Sequence, residues 1–219
     1  MRVIKPAFEI LTPVDRDAIY KQIERCARVC YKSEDKITED SAPKMVKNLI
    51  KREHLAMLEH VIISVKFICD RGVSHEIVRH RMASYAQEST RYCNYSAGAH
   101  GSEITVIEPL FFKKGSDEYK AWYDTCLMCE KAYMELLNMG ASPQEARTVL
   151  PNSLKTEIVV TFNLRQWIHF FNLRAVGTTG APHPQMKEIA VQVLGEFTEA
   201  MPEVFGPLYV KAVLDKKEE

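Results

Sequence analysis

The chain has no net charge to offer. Its 29 lysines and arginines balance 29 aspartates and glutamates, so nothing pulls it as a whole toward nucleic acid or an anionic membrane, and a basic site must be local. It has no apolar run of 18 or more residues, which argues against a membrane-spanning helix. The opening MRVIKPAFEILTP alternates charged and apolar residues and lacks the apolar stretch of a secretory signal. Cysteine is sparse as well: Cys26, Cys30, Cys69, Cys93, Cys126 and Cys129 in 219 residues are too few for a disulfide scaffold and read as reduced thiols of a cytoplasmic protein. Glycine-rich nucleotide motifs are missing, with neither G-x-G-x-x-G nor G-x-x-x-x-G-K-[ST] present. GTTG at 177–180 reads as a plain loop. A phosphate-bearing cofactor must then be held by side chains and helix ends.

What is present is ordinary globular material, 46% hydrophobic and 26% charged, enough for a sizeable core. Residues 2–11 read as an opening strand. Residues 14–31 carry Ile19, Ile23, Cys26, Ala27 and Cys30 at helical spacing, and 39–54 read as a second helix with Pro43 in its first turn and Met45, Leu49 and Ile50 facing inward. In 60–70 Val61, Ile63, Val65, Phe67 and Cys69 alternate as a strand, broken by Gly72, and 73–80 starts a helix with Ser74 as N-cap. A loop at 92–103, marked by Asn94, Ser96, Gly98 and Gly101, leads to a short strand near 104–108. The longest helical pattern, 117–140, stops at Gly140; 142–151 has a capped start and a proline stop. Leu154, Thr156, Ile158, Val160 and Phe162 alternate through a strand at 154–163, then 164–174 returns to helical spacing, and a last helical block follows Pro184. Without repeats, low-complexity tracts or linkers, the expected fold is α/β (α+β): residues 1–219 as a single mixed domain with a strand-containing core and several helices.

Several candidate sites are weak. His75 and His80 in SHEIVRH are five apart, ~140° around a helix, and cannot share an ion. Cys126 and Cys129 form a C-x-x-C pair on a helix with no second pair, so buried thiols are favoured over zinc and no metal is expected. Cys93 lies near Arg91, which would favour a thiolate, but no partner base is evident. The arginines are harder to dismiss. Arg79 and Arg81 in RHRMASYAQESTRY would point to nearly opposite sides of a helix at ~100° per residue. Arg165 and Arg174 in FNLRQWIHFFNLR are nine residues apart, ~180° around, beside His169 and a ring-rich face. Guanidinium groups match phosphates and carboxylates bidentately. The pattern points to several anionic ligands held from different directions.

RHRMASYAQES, an Arg-His-Arg followed after seven residues by Ser, resembles the signature of the flavin-dependent thymidylate synthases. EHLAMLEH at 53–60, DRGVSHEIVRHR, ARTVLP and FNLRQWIHFFNLR are similar to further segments of that family, in order from about residue 53 to 174. The resemblance implies reductive methylation of dUMP to dTMP by an α/β homotetramer with active sites between subunits. It implies FAD as redox cofactor, methylenetetrahydrofolate and NADPH as co-substrates, and a flavin hydride that reaches the pyrimidine without an enzyme nucleophile. It further implies that dUMP is held by Glu76, Ile77, Val78 and Arg79, by Gln87, Glu88, Ser89, Thr90 and Arg91, and by Arg147. Arg174 is then the catalytic residue that polarises the uracil, favouring ionisation at N3 as well as binding the nucleotide. The flavin would be held by His54, Ala56 and Glu59, by Arg79, His80, Arg81 and Gln87, and by Asn163, Leu164, Arg165 and His169. The chain departs from common family forms at Glu76, where glutamine is frequent, at Ala56, which replaces a hydroxyl residue, and at Ala86, Gln87 and Glu88, where Asn-Glu-Leu is frequent. Glu88 is therefore expected to be exposed or to act through its backbone.

Other readings compete. A nucleic-acid-binding module could use the RHR triplet with Tyr85, Tyr92 and Tyr95 as stacking platforms, but zero net charge and the lack of a basic run argue against it. A different flavin or nucleotide enzyme on the same scaffold, or a metal-dependent hydrolase, are the remaining alternatives. No nucleic acid and no membrane are expected as partners.

Overall fold

The computed structural model describes residues 1–95 and 102–214. Ser96, Gly98 and Gly101 of the expected loop lie outside the described residues. The chain falls into two compact units. One comprises Met1–Ala7, Lys66–Arg79 and Tyr85–Val159; the other comprises Phe8–Val65, His80–Ser84 and the chain from Val160 onward.

In the first unit, β1 (Arg2–Ile4) pairs in parallel with β5 (Thr105–Ile107), Val3 opposite Val106. The expected single strand over 2–11 is two strands, because Pro6 has no N–H for a ladder; β2 (Ala7–Ile10) follows it. The core of this unit gathers Tyr95, Ile104, Val106, Cys126, Tyr133, Ala146 and Leu154. Cys126 on α4 (Asp117–Asn138) is thus a core thiol, with Cys129 half-buried. That helix ends where Gly140 adopts φ +95°, a left-handed stop natural only to glycine.

Helix α3 (Arg71–Ile77) starts earlier than its sequence suggests. Asp70 is the N-cap, its carboxylate accepting from the Val73 N–H at 2.7 Å, while Ser74 is fully buried inside the helix and donates to the Arg71 carbonyl at 2.8 Å. Gly72 does not break the chain. It sits in the first turn, where a Cβ would come within 3.0 Å of the capping carboxylate. The helix closes at Val78, so Arg79, His80 and Arg81 lie in the turn beyond it, and the opposite-face geometry expected of a helix does not apply. Ser84–Gln87 forms strand β4.

The second unit is mostly helical. Helix α1 (Arg16–Val29) buries Tyr20, Ile23, Glu24 and Ala27, leaving Cys30 exposed rather than inward. Glu24 is a buried carboxylate that accepts from Arg28 at 2.8 Å and from Ser41 at 2.8 Å, which meets its hydrogen-bonding need without solvent. Helix α2 (Ser41–Lys51) buries Ala42, Val46 and Leu49, one position round from the stripe expected at Met45. A short 3₁₀ segment (Leu55–His60) leads into strand β3 (Ile62–Asp70), whose inward residues are those the alternation indicates. Strand β6 (Lys155–Asn163) runs straight into α6 (Leu164–Phe171), and α7 (Pro184–Ala200) and α8 (Pro202–Leu214) complete the unit. The core here is a nest of rings: Trp167 meets Phe162, Phe170, Phe171 and Phe197 at centroid distances of 4.7 to 5.5 Å. The strand order of the four-stranded sheet is β2-β3-β6-β4, with β3 and β6 each contributing residues to both units.

Candidate active site

In the second unit the expected helix over 164–174 changes character. After Phe171 the backbone widens into a π-helical turn, Asn172–Val176, closed where Gly177 donates its N–H to the Asn172 carbonyl at 2.9 Å with φ +88°. Single π turns inserted in helices are frequent at functional sites. Arg174 sits in this turn, so its direction is not that of an ideal helix counted from Arg165. Its Nε–H donates to Nε2 of His80 at 3.1 Å.

His80 is buried, 4% exposed, with Phe170, His169 and Phe162 around its ring at 5.0, 5.7 and 6.1 Å. Burial, and then the nearby charges of Arg174 and His169, push its pKa down to about 4. The ring is therefore neutral near pH 7. Accepting at Nε2 places its proton on Nδ1.

Arg165, at the start of α6, pairs with Glu59 of the 3₁₀ segment at 2.6 Å; both side chains are exposed. Asn163 caps α6, its side-chain oxygen accepting from the Gln166 N–H at 2.8 Å, which leaves the amide nitrogen as the group it can present. Leu164 is a core side chain whose N–H is donated to the Val61 carbonyl, so any ligand contact from it is through the main chain. His54, Ala56 and Arg165 line a cavity of about 770 Å³ together with Tyr31, Lys36 and Arg52. Nothing in the sequence marks these last three, which carry no spacing different from a solvated surface. The cavity size is that of ligand pockets. Its cations suit a pyrophosphate and its apolar lining of Met45, Leu49, Leu55 and Met57 suits ring surface, so the residues present fit a flavin dinucleotide.

The first unit holds the second group. The turn after β4 is wound on Ser89: its carbonyl accepts the N–H of Tyr92 at 3.2 Å and of Cys93 at 2.9 Å, and its hydroxyl accepts the Arg91 N–H at 3.3 Å. Arg147 reaches this turn from 57 residues away, donating to the buried Thr90 hydroxyl at 3.3 Å. Arg91 is held by Gln144 at 3.0 Å and lies over the Tyr92 ring. Two exposed arginines thus belong to or reach one turn. Gln144 was missed by sequence reasoning, since a polar residue in a helical first turn carries no signal.

Gln87 is anchored rather than presented, donating to Ser74 at 3.0 Å and Thr156 at 3.2 Å. Glu88 is not the exposed residue expected. Its carboxylate accepts from Tyr95 at 2.9 Å and from Lys155 at 3.0 Å, so it is a structural anchor for the Ser89 turn. Ile77 is core, and its carbonyl accepts the Tyr85 hydroxyl at 3.0 Å. Glu76 is half-buried, and Val78 and Arg79 are exposed at the end of α3. Arg81 is exposed in the second unit. Among the described residues no group of three or more His, Cys, Asp or Glu is placed to hold a metal ion. No described helix is long and apolar enough to cross a membrane.

A model of the family described as thymidylate synthase complementing protein matches residues 15–203. A flavin-dependent thymidylate synthase from Pyrococcus furiosus is 32% identical over 166 residues, 75% of this chain and 66% of that protein. One from Mycolicibacterium vanbaalenii is 30% identical over 220 residues, 93% of this chain and 85% of that protein. The chain thus spans just under two thirds of the length of the Pyrococcus relatives it matches. In fold it is similar to the UMP/dUMP methylase PolB from Streptomyces cacaoi, solved with 5-Br dUMP, at TM-score 0.76 and 19% identity over 97% of this chain and 98% of that one.

Proposed function

The chain belongs to the thymidylate synthase complementing family and is related to the flavin-dependent thymidylate synthases, and from that premise we propose that it reductively methylates dUMP to dTMP, with methylenetetrahydrofolate as carbon donor, FAD as redox cofactor and NADPH as reductant. The observation that carries this reading is the pairing of two arginines at the Ser89–Thr90 turn: Arg91 belongs to it, its guanidinium held by Gln144, and Arg147 donates to the Thr90 hydroxyl, a supply of cations that suits a nucleotide phosphate. Ser89 then binds rather than attacks. No nucleophile is required of the chain in this reading.

When bound, the flavin would supply a hydride to the pyrimidine. His54, Ala56, Glu59, Arg165 and the Asn163 amide line or adjoin the cavity that suits it, and Arg79, His80, Arg81, Gln87, Leu164 and His169 are its remaining proposed contacts. Glu59 sets the direction of the Arg165 guanidinium. Arg174 is the catalytic residue. A fixed guanidinium beside the uracil stabilises negative charge that grows on the ring, most effectively where water is excluded. Glu76, Ile77, Val78 and Arg79 at the end of α3, with Gln87 to Arg91, complete the nucleotide contacts, those of Ile77 and Gln87 through the main chain. We further propose that residues 1–219 act as one functional domain, in a cytoplasmic homotetramer with active sites at subunit interfaces; the family match running from 15 to 203 across both units supports the first point.

The test is the visible spectrum of the purified protein, recorded anaerobically before and after NADPH, with and without dUMP. A bound yellow flavin that bleaches with NADPH in a dUMP-sensitive way, followed by dTMP formation on adding methylenetetrahydrofolate, is the expected result. Failure to bind or reduce added FAD would sink the assignment.

A further inference from the structure

We infer that His80 is a positioning residue for Arg174: its neutral imidazole fixes the plane of the guanidinium without diminishing its charge. The inference rests on the reading of Arg174 as the uracil-activating group and adds the means by which that group is held.

Four observations meet here. The Arg174 Nε–H donates to His80 Nε2 at 3.1 Å. An arginine has several soft torsions, and one hydrogen bond at Nε restricts the guanidinium plane far more than packing along the stem does. The imidazole is itself packed, buried and edge-on to Phe170 at 5.0 Å and His169 at 5.7 Å, with Phe162 further off at 6.1 Å. Finally, the acceptor is uncharged. A buried carboxylate in its place would hold Arg174 more tightly but would cancel its field at the substrate, and electrostatic stabilisation of a developing anion needs that field intact. Burial and the neighbouring cation keep the imidazole in the accepting form. The π turn adds its part by aiming Arg174 at His80, 94 residues away in sequence.

A purely packed histidine and a positioning histidine respond oppositely to two substitutions. His80→Phe keeps a buried ring and removes the acceptor; His80→Gln keeps an acceptor of similar reach and gives up the ring. Both variants, with Arg174→Ala as reference, are purified and measured for bound flavin by absorbance, melting temperature, dUMP KM and kcat. With kcat taken per bound flavin, the expected result is kcat of H80F down roughly 10- to 100-fold with dUMP KM within about threefold, and kcat of H80Q within about fivefold of the parent despite a lower melting temperature. Parental kcat per bound flavin in H80F, or H80Q slower than H80F, would overturn the inference. If H80F does not fold, His80→Leu takes its place; if neither folds, the histidine serves the fold and the inference is overturned. Parental turnover in R174A would instead show that the reading of Arg174 is wrong, separately from the role of His80.

Discussion

At the scale of single residues, this protein solves one problem repeatedly: how to present a cation in a fixed direction. Arg174 donates to a histidine, Arg91 to a glutamine, Arg147 to a threonine hydroxyl and Arg165 to a carboxylate. The Arg165–Glu59 pair is exposed on both sides, so it adds only about 0–1 kcal/mol to stability, and its value lies in orientation. His80 has a consequence for pH dependence. Its pKa falls from 6.5 to about 4 on folding, with Arg174 and His169 as the charged neighbours. As pH falls below 6.5 the unfolded chain takes up a proton that the folded one refuses until about pH 4. Folding stability at this residue is therefore fully present above pH 6.5 and declines through that window, by up to about 3 kcal/mol. Urea unfolding at neutral and mildly acid pH should show a smaller acid loss in His80→Gln than in the parent; equal losses would refute the attribution. Arg147→Ala removes the proposed phosphate contact and should raise dUMP KM roughly tenfold with little change in kcat, read from steady-state kinetics.

At the scale of elements, the two segments that matter most are a helix end and a helix defect. Gly177 terminates the π turn with φ +88°, and a Cβ there would lie 2.9 Å from the Pro182 ring and 3.0 Å from the Gly180 carbonyl oxygen. Gly177→Ala should cost about 1–3 kcal/mol, lowering the melting temperature, and should reduce kcat by displacing Arg174. An unchanged melting temperature would mean that the turn relaxes freely. Asp70→Ala removes the α3 cap and should cost about 1 kcal/mol. Neither device was legible in the sequence. Ser74 is as good an N-cap type as Asp70, and only the bond to Val73 at 2.7 Å distinguishes them. Gly177 reads as a loop residue in a GTTG run, and the π turn leaves no trace in a pattern whose apolar spacing continues through it.

At the scale of the whole molecule, the two compact units divide the candidate residues between them. Arg174, His80, Arg81, His169, Arg165 and the cavity-lining residues fall in one; Glu76 to Arg79, Gln87 to Arg91 and Arg147 fall in the other. The proposed homotetramer predicts a native mass four times the 25.1 kDa of the chain, measurable by light scattering or native mass spectrometry. A monomeric mass with full activity would contradict interfacial active sites.

The alternation of Val61 to Cys69 and of Leu154 to Phe162 determined both long strands, because a strand with one buried face has a period of two, which a helix does not. Arg-His-Arg, the distant serine and the arginines that follow determined the family resemblance, since side-chain chemistry is carried by residue type and spacing. Only the tertiary structure decided what each of those groups touches. Arg174 meets His80 and Arg147 meets Thr90 across separations of 94 and 57 residues, and Glu88 turns to Tyr95 and Lys155 instead of to solvent. Such contacts depend on where packed elements bring chain segments together, which local periodicity does not encode.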